Sequence, residues 1–496
     1  MVVLFAFLSA CSNFNLLRNQ ELAGPGTTIN GNRVKANVKT PPVPQRRTDT
    51  GLIQAAEREN TRIVAAYGGV YSNRGVEDQL SRIVSRLINA SDVPSQAFQI
   101  TILNSPSVNA FALPGGFLYI TRGLLALASD ASEVAAVLAH EMAHVTSNHG
   151  QERLRKARKA ELVSRAVRNV VRNEEAAAFV LAKRQLDFAA FTQQQEFAAD
   201  AIGVRNSGRA GYDPFAAARF LETMAAYQSY RSSASVALKE DGPDFLSSHP
   251  STPERVAQAR LAARQIGAPG IGKNERTAYL RSIDGMIFGD DPEEGYVRDR
   301  SFFHPQLRFT FSVPQGYVID NTPEAVLATA ANGDAIRFDG VQVANNVSLP
   351  DYLQSGWLNG LDPASITQFT VNGSPAASAV ASVAEWSFKI TVIRAPTSTY
   401  RMIFATKNPS TRFDRSVSAT VSSFRTLSER EARNLSPLRI KVMKVGRQDT
   451  VFSLSRPMRG LVANPDEAFR VFNGLSRRQQ PEAGDFVKVI VDGASG

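Results

Sequence analysis

The 496-residue chain has a single cysteine, Cys11. That excludes an intramolecular disulfide, a cysteine-based zinc ribbon and an iron–sulfur cluster, each of which needs several thiols. Histidine is scarce too: His140, His144, His149, His249 and His304 complete the set. A metal site must draw on these five and fill its other positions with carboxylates. Beyond the N-terminus no stretch approaches the roughly 20 apolar residues of a membrane-spanning helix, so the remainder is expected to be soluble. What is plentiful is basic charge, net +10, and a hydrophobic fraction of 43%. The latter suits folded domains rather than a disordered chain. At this length about two to four domains are expected.

Residues Val2 to Leu8 are apolar and Ser9 and Ala10 are small, the pattern of an export signal and its cleavage zone. No Lys or Arg precedes the run, where such signals carry positive charge. The alternative is a buried N-terminal strand. The run Leu8-Ser9-Ala10-Cys11 resembles the bacterial lipobox, which implies lipidation at Cys11 after removal of residues before it. A signal and lipobox over 1–11 thus precede a polar, Gly/Pro/Asn-rich tether over 12–50.

The expected fold class is α+β. Residues 51–285 read as a mainly helical domain with a small sheet. Leu80, Ile83, Val84, Leu87 and Ile88 lie at helical spacing, whereas Phe98 to Ile102 alternates like a strand. Gly115-Gly116 reads as a turn, and Phe117 to Thr121 as a strand expected to present an open edge to substrate. Gly285 to Gly295 reads as a linker. Residues 296–430 combine alternating runs (Arg308–Val313, Phe388–Ile393) with helical patterns, a small α+β domain. Residues 438–492 begin and end like strands around a helical middle.

His140-Glu141-Met142-Ala143-His144 is an H-E-x-x-H motif within an Ala/Leu/Val-rich helical pattern. Residues four apart share a helix face, so both imidazoles can bind one zinc ion. Glu141 is then placed to take a proton from water as a peptide carbonyl is attacked. The third ligand is not local. Gly150 stands where a metzincin places its third histidine, and His149, five positions past His144, rotates off the shared face in a continuous helix, which leaves it a polar helix-end residue. A later segment offers Glu196 and Asp200, again four apart. Glu196 can complete a His₂Glu site with an open fourth position, and Asp200 can orient a ligating imidazole.

These residues resemble the M48 family of metalloproteases, related to CAAX prenyl proteases, in its periplasmic lipoprotein-like branch. The resemblance rests on Val108–Gly116, His140–His144, Glu196 with Asp200, and His249-Pro250-Ser251-Thr252-Pro253-Glu254-Arg255. It implies one Zn²⁺ per chain on His140, His144 and Glu196, with Glu141 as base and Asp200 in support. The family often has Ser-Arg where Thr192 and Gln193 stand, and a second Glu at Ala198. His249 has two readings beside the bland one of loop packing. It occupies the open metal position at rest, gating the site, or it stabilises the oxyanion. Arg255 is an electrophile or an ion-pair partner.

Residues 438–492 resemble a divergent LysM module of βααβ order, which implies contact with peptidoglycan. A degenerate copy that only packs on its neighbour is the other reading. The basic run from Arg153 to Arg172 reads as a solvated helix face or a surface for anionic lipid; nucleic acid is not expected. His304 lacks a ligand partner and reads as structural. The function expected is a zinc endopeptidase of the cell envelope. It would act in the periplasm on misfolded or unassembled proteins and be lipid-anchored to the outer membrane. The alternatives are an assembly factor that cleaves little and a peptidoglycan-associated scaffold.

Overall fold

The computed structural model describes residues 50–113, 115–153, 155–156, 174–233, 245, 249–323, 325–396 and 398–493. The signal segment, Cys11, nearly all of the tether and most of the basic run lie outside these. Contacts divide the chain into two bodies. The first comprises the described residues up to 289 together with 438–493, and the second is 290–437.

In chain order the first body begins with α1 (Thr50–Ala66), α2 (Arg74–Ala90), β1 (Gln99–Leu103), β2 (Ala110–Leu113) and β3 (Phe117–Thr121). There follow α3 (Arg122–Leu127), α4 (Ala131–Thr146), α5 (Glu174–Arg209), α6 (Ala216–Ser233), α7 (Pro253–Ile266), α8 (Arg276–Ile283) and β4 (Ile287–Phe288). Helix α2 starts where Asn73 accepts a hydrogen bond from the Val76 N–H, and it buries Val76, Leu80, Ile83, Val84 and Leu87, the stripe its spacing predicts.

The small sheet has the order β1-β3-β2, with β1 parallel and β2 antiparallel to β3. This corrects the expectation of an open edge at Phe117–Thr121: β3 is the central strand and β2 is an edge. Gly115 and Gly116, at φ of 95° and 91°, fold β2 back onto β3. A Cβ on Gly116 would lie 2.0 Å from the Ala97 carbonyl oxygen, so only glycine fits there.

Helix α4 is buried from Ala131 through Ala143. Asp130 caps it by accepting from the Glu133 N–H at 3.0 Å, and Glu133 accepts from the Ser129 N–H at 2.8 Å. Its alanines allow close approach by α5. At the contact a Cβ on Gly203 would lie 3.0 Å from the His140 nitrogen.

The second body holds β5 (Tyr296–Arg298), β6 (Ser301–His304), β7 (Phe309–Ser312), β8 (Tyr317–Asn321), β9 (Val326–Ala330) and β10 (Ala335–Val341). After α9 (Leu349–Leu353) come β11 (Leu361–Val371), β12 (Ser374–Val383), β13 (Trp386–Arg394), β14 (Thr399–Thr406), α10 (Thr411–Ser423), β15 (Arg425–Thr426) and α11 (Glu429–Asn434). A seven-stranded sheet of order β11-β12-β13-β14-β10-β9-β8 and a four-stranded sheet of order β15-β7-β6-β5 enclose an aromatic core. That core contains Phe302, Phe309, Phe311, Phe338, Tyr400 and Phe424. The α+β class read from the alternating runs is the class observed.

The C-terminal stretch contributes β16 (Leu438–Lys444), α12 (Val451–Ser455), α13 (Pro465–Phe472) and β17 (Phe486–Asp492), in the expected strand-helix-helix-strand order. It does not stand apart as a 438–492 module. Strand β16 pairs with both β17 and β4, and Ile440, Phe469, Phe472 and Val489 share one core with Leu125, Leu127 and Tyr279. A segment of this length is marginal by itself, and here its core is completed by residues of the first body. Lys488 fastens it: the buried ammonium donates to the carbonyls of Ala126, Leu127 and Ala128 at 2.7, 3.2 and 2.5 Å, where α3 ends. Among the described residues no helix is long and apolar enough to cross a membrane.

Candidate metal centre

His140 and His144 sit one turn apart on α4 with their Nε2 atoms 3.0 Å from each other. Both face Glu196 of α5, whose Oε2 lies 3.3 Å from His140 Nε2 and Oε1 3.4 Å from His144 Nε2. His249, in the segment before α7, joins them. Its Nδ1 is 2.7 Å from Glu196 Oε2 and 3.2 Å from His140 Nε2. One ligand atom from each of these four residues lies within 4.8 Å of all the others.

Glu141 is buried beside them. Its Oε1 has no hydrogen-bond partner among the described residues and lies 3.5 Å from His249 Nε2. Asp200 stands one turn beyond Glu196, with Oδ1 2.9 Å from His140 Nδ1. Arg255 grips Asp200 with two hydrogen bonds of 2.8 Å, donates to the Pro250 carbonyl at 3.0 Å and lies 3.4 Å from Glu196. The sequence-predicted residues His140, Glu141, His144, Glu196, Asp200, His249 and Arg255 are therefore brought together.

Electrostatics divides their roles. Burial opposes charge on Glu196, yet hydrogen bonds from His140, His144 and His249 hold it well below the usual carboxylate range. Burial raises the Glu141 carboxyl above its ordinary value, the direction that suits a proton acceptor. Burial pushes His144 down to about 3, a neutral imidazole. At His140 burial also works against protonation, but Asp200 and Glu196 outweigh it and bring the ring to about 9. For Asp200, the Arg255 and His140 hydrogen bonds overcome burial and keep the carboxylate ionised.

Imidazole is a borderline donor well suited to zinc and a carboxylate is a harder one that zinc also accepts, so two histidines and a glutamate make a donor set known for catalytic zinc. The buried Glu141 oxygen that lacks a hydrogen-bond partner among the described residues lies beside these donors, 3.5 Å from His249 Nε2, where it could accept a proton from water. The residues present therefore fit zinc, which ligand atoms of His140, His144, Glu196 and His249 could hold.

Two neighbours were not expected at the centre from sequence. His149, expected as a polar helix end, is buried, with its Nδ1 2.9 Å from His144 Nδ1. Arg153 donates to Glu196 Oε1 and to Gln195 Oε1, both at 2.7 Å. Helical spacing counted past Thr146 hides both, because the chain turns there. His304 lies in the second body on β6, where its Nδ1 accepts from the Leu307 N–H at 3.2 Å, a structural placement.

A helix-borne histidine pair, a distant carboxylate and a buried glutamate next to the first histidine define the class of HExxH metallopeptidases. Comparison with known proteins narrows the class. Residues 75–263 match the model of peptidase family M48. It is 29% identical over 204 residues to the beta-barrel assembly-enhancing protease of Escherichia coli, covering 39% of this chain and 40% of that one. To the mitochondrial metalloendopeptidase OMA1 it is 30% identical over 178 residues in Schizosaccharomyces pombe, covering 36% and 50%. The Saccharomyces cerevisiae OMA1 is 33% identical over 161 residues, covering 32% and 45%. The chain thus spans half or less of the length of these relatives.

Proposed function

We propose that the chain is a zinc-dependent endopeptidase of the bacterial cell envelope that hydrolyses misfolded or unassembled proteins. The observation that carries this reading is Glu141 Oε1, buried, unpartnered among the described residues and next to the His140, His144 and Glu196 donors. Zinc held there supplies Lewis acidity for the attack of water on a carbonyl. Glu141 takes the proton of the attacking water and passes it to the leaving nitrogen. Asp200, braced by Arg255, holds His140 in place. An extended substrate adds to edge strand β2 through main-chain hydrogen bonds, which tolerates varied sequences.

His249 gates the centre. It lies among the ligand atoms, and its N–H donates to the Phe245 carbonyl at 2.7 Å while the Phe245 N–H donates to Val108 O at 3.0 Å, just before β2. Moving this segment would free both the metal position and the approach to β2. The name of the Escherichia coli relative, a beta-barrel assembly-enhancing protease, supports unassembled envelope proteins as clients. A periplasmic location, anchoring through Cys11 to the outer membrane and peptidoglycan contact by the LysM-like 438–492 stretch complete the proposal. Because that stretch shares the first body's core, peptidoglycan binding is tested on the whole chain by pull-down with soluble glycan competitor.

The decisive assay is cleavage of casein or an unfolded client, with and without chelator. Glu141→Gln should lower the rate by about 10²–10⁴-fold, and undiminished cleavage by that variant would refute the mechanism. Metal analysis should find one zinc per chain, lost in His140→Ala. His249→Ala should change the rate, and an unchanged rate would remove the gate.

A further inference from the structure

We propose that His149 is a positioning residue for the metal: its Nδ1 accepts the hydrogen bond that orients His144 and fixes its tautomer. The inference rests on the reading of His140, His144 and Glu196 as a metal centre. His144 turns Nε2 toward the cluster, 3.0 Å from His140 Nε2 and 3.4 Å from Glu196 Oε1. A ring that ligates through Nε2 carries its proton on Nδ1 and needs an acceptor there. The atom 2.9 Å from His144 Nδ1 is His149 Nδ1, on a side chain that is 7% exposed as a residue. The two rings meet edge to face, with centroids 4.9 Å apart.

In a continuous helix a residue five positions on would point roughly 140° away around the axis. Helix α4 instead ends at Thr146. The Ser147 N–H closes on Ala143 O at 3.0 Å, and the Asn148 N–H on Val145 O at 3.1 Å. Asn148 then takes φ of 54°, the left-handed region that asparagine enters more readily than other non-glycine residues. That one residue reverses the chain and brings the His149 ring back over His144. The two histidine ligands are thus braced differently. His140 leans on a carboxylate, Asp200 at 2.9 Å, which adds negative charge to the ring. His144 leans on an imidazole, which orients the ring without adding a full charge.

The test uses the whole chain. Zinc affinity is measured by competition with a chromogenic chelator, and the visible spectrum of the cobalt-substituted protein reports ligand geometry. His149→Leu should weaken zinc binding by about 10–100-fold and shift the cobalt bands. His149→Gln, which offers a carbonyl acceptor, should restore most of the affinity. Asn148→Gly, at home at positive φ, should bind as the wild type does. Asn148→Val should weaken zinc as His149→Leu does, with every imidazole intact. Wild-type affinity and spectrum in His149→Leu, or no rescue by His149→Gln, would overturn the proposal. If the wild type binds no zinc, the metal-centre reading falls and this inference with it. Zinc binding that is lost in His140→Ala yet indifferent to His149 overturns the inference alone.

Discussion

Substituting Arg255→Met removes a guanidinium whose side chain is 3% exposed and which makes two 2.8 Å hydrogen bonds to Asp200 and one of 3.0 Å to Pro250 O. Asp200 would keep only His140 as a cationic or N–H partner among these contacts, and its own side chain is 7% exposed. Breaking one side of a buried pair costs about 3–5 kcal/mol, most of it the penalty of the charge left behind. Asp200→Asn removes that charge. The double variant Asp200→Asn with Arg255→Met should therefore be more stable than Arg255→Met alone, with a coupling of about 2–3 kcal/mol. Denaturation followed by circular dichroism at helical wavelengths reports the first body, where the long helices lie. Asp200→Asn should also weaken zinc about 10–100-fold, or ~1.4–2.7 kcal/mol, because His140 loses a charged acceptor. A cost under about 1 kcal/mol for Arg255→Met, or strict additivity of the two changes, would show that the pair is not the brace described here.

Acid should weaken the second body through His304. Burial lowers its pKa from 6.5 to about 4. Above pH 6.5 there is no penalty. As pH falls from 6.5 toward 4 the unfolded chain takes up a proton that the folded one refuses. Roughly 2.5 pH units at about 1.4 kcal/mol each gives a loss of about 3.5 kcal/mol below pH 4, of which about 2 kcal/mol is reached by pH 5. Both tryptophans, Trp357 and Trp386, lie in this body, so their fluorescence during urea unfolding at pH 7 and pH 5 reads it selectively, and His304→Phe should flatten the slope. Lys488→Met should destabilise the first body by about 2–4 kcal/mol, since three carbonyls lose their donor; a melting temperature equal to wild type would contradict the fastening role. Free zinc at about 100 times its Kd should stabilise the wild type by about 2.7 kcal/mol and leave His140→Ala unmoved, as chelator titration of the melting temperature will show.

The motif on α4 was legible because all its parts lie within two helical turns, where spacing alone dictates which side chains share a face. The same rule exposed Glu196 with Asp200 as a pair, and the shortage of histidine pointed to a carboxylate as third ligand. That these carboxylates meet His140 was a tertiary matter. It depends on Gly203 and the alanines of α4, which let two helix backbones approach closely. Strand β3 was recognisable as the strand that follows the Gly115-Gly116 turn, but its central position was not, since pairing is decided by the glycine turn and by which partner closes on which side. The place of His149 could not be read by counting either, because one left-handed residue, Asn148, resets the helical phase. Nor could the merger of 438–492 with the first body. Local pattern specifies its strands and helices, whereas their core is completed by residues some 150 to 360 positions earlier, such as Tyr279 and Ala126. Local chemistry and periodicity were thus written in the chain itself. The centre's bracing, its edge strand and its domain boundary came from contacts between distant segments, whose close approach no short-range pattern encodes.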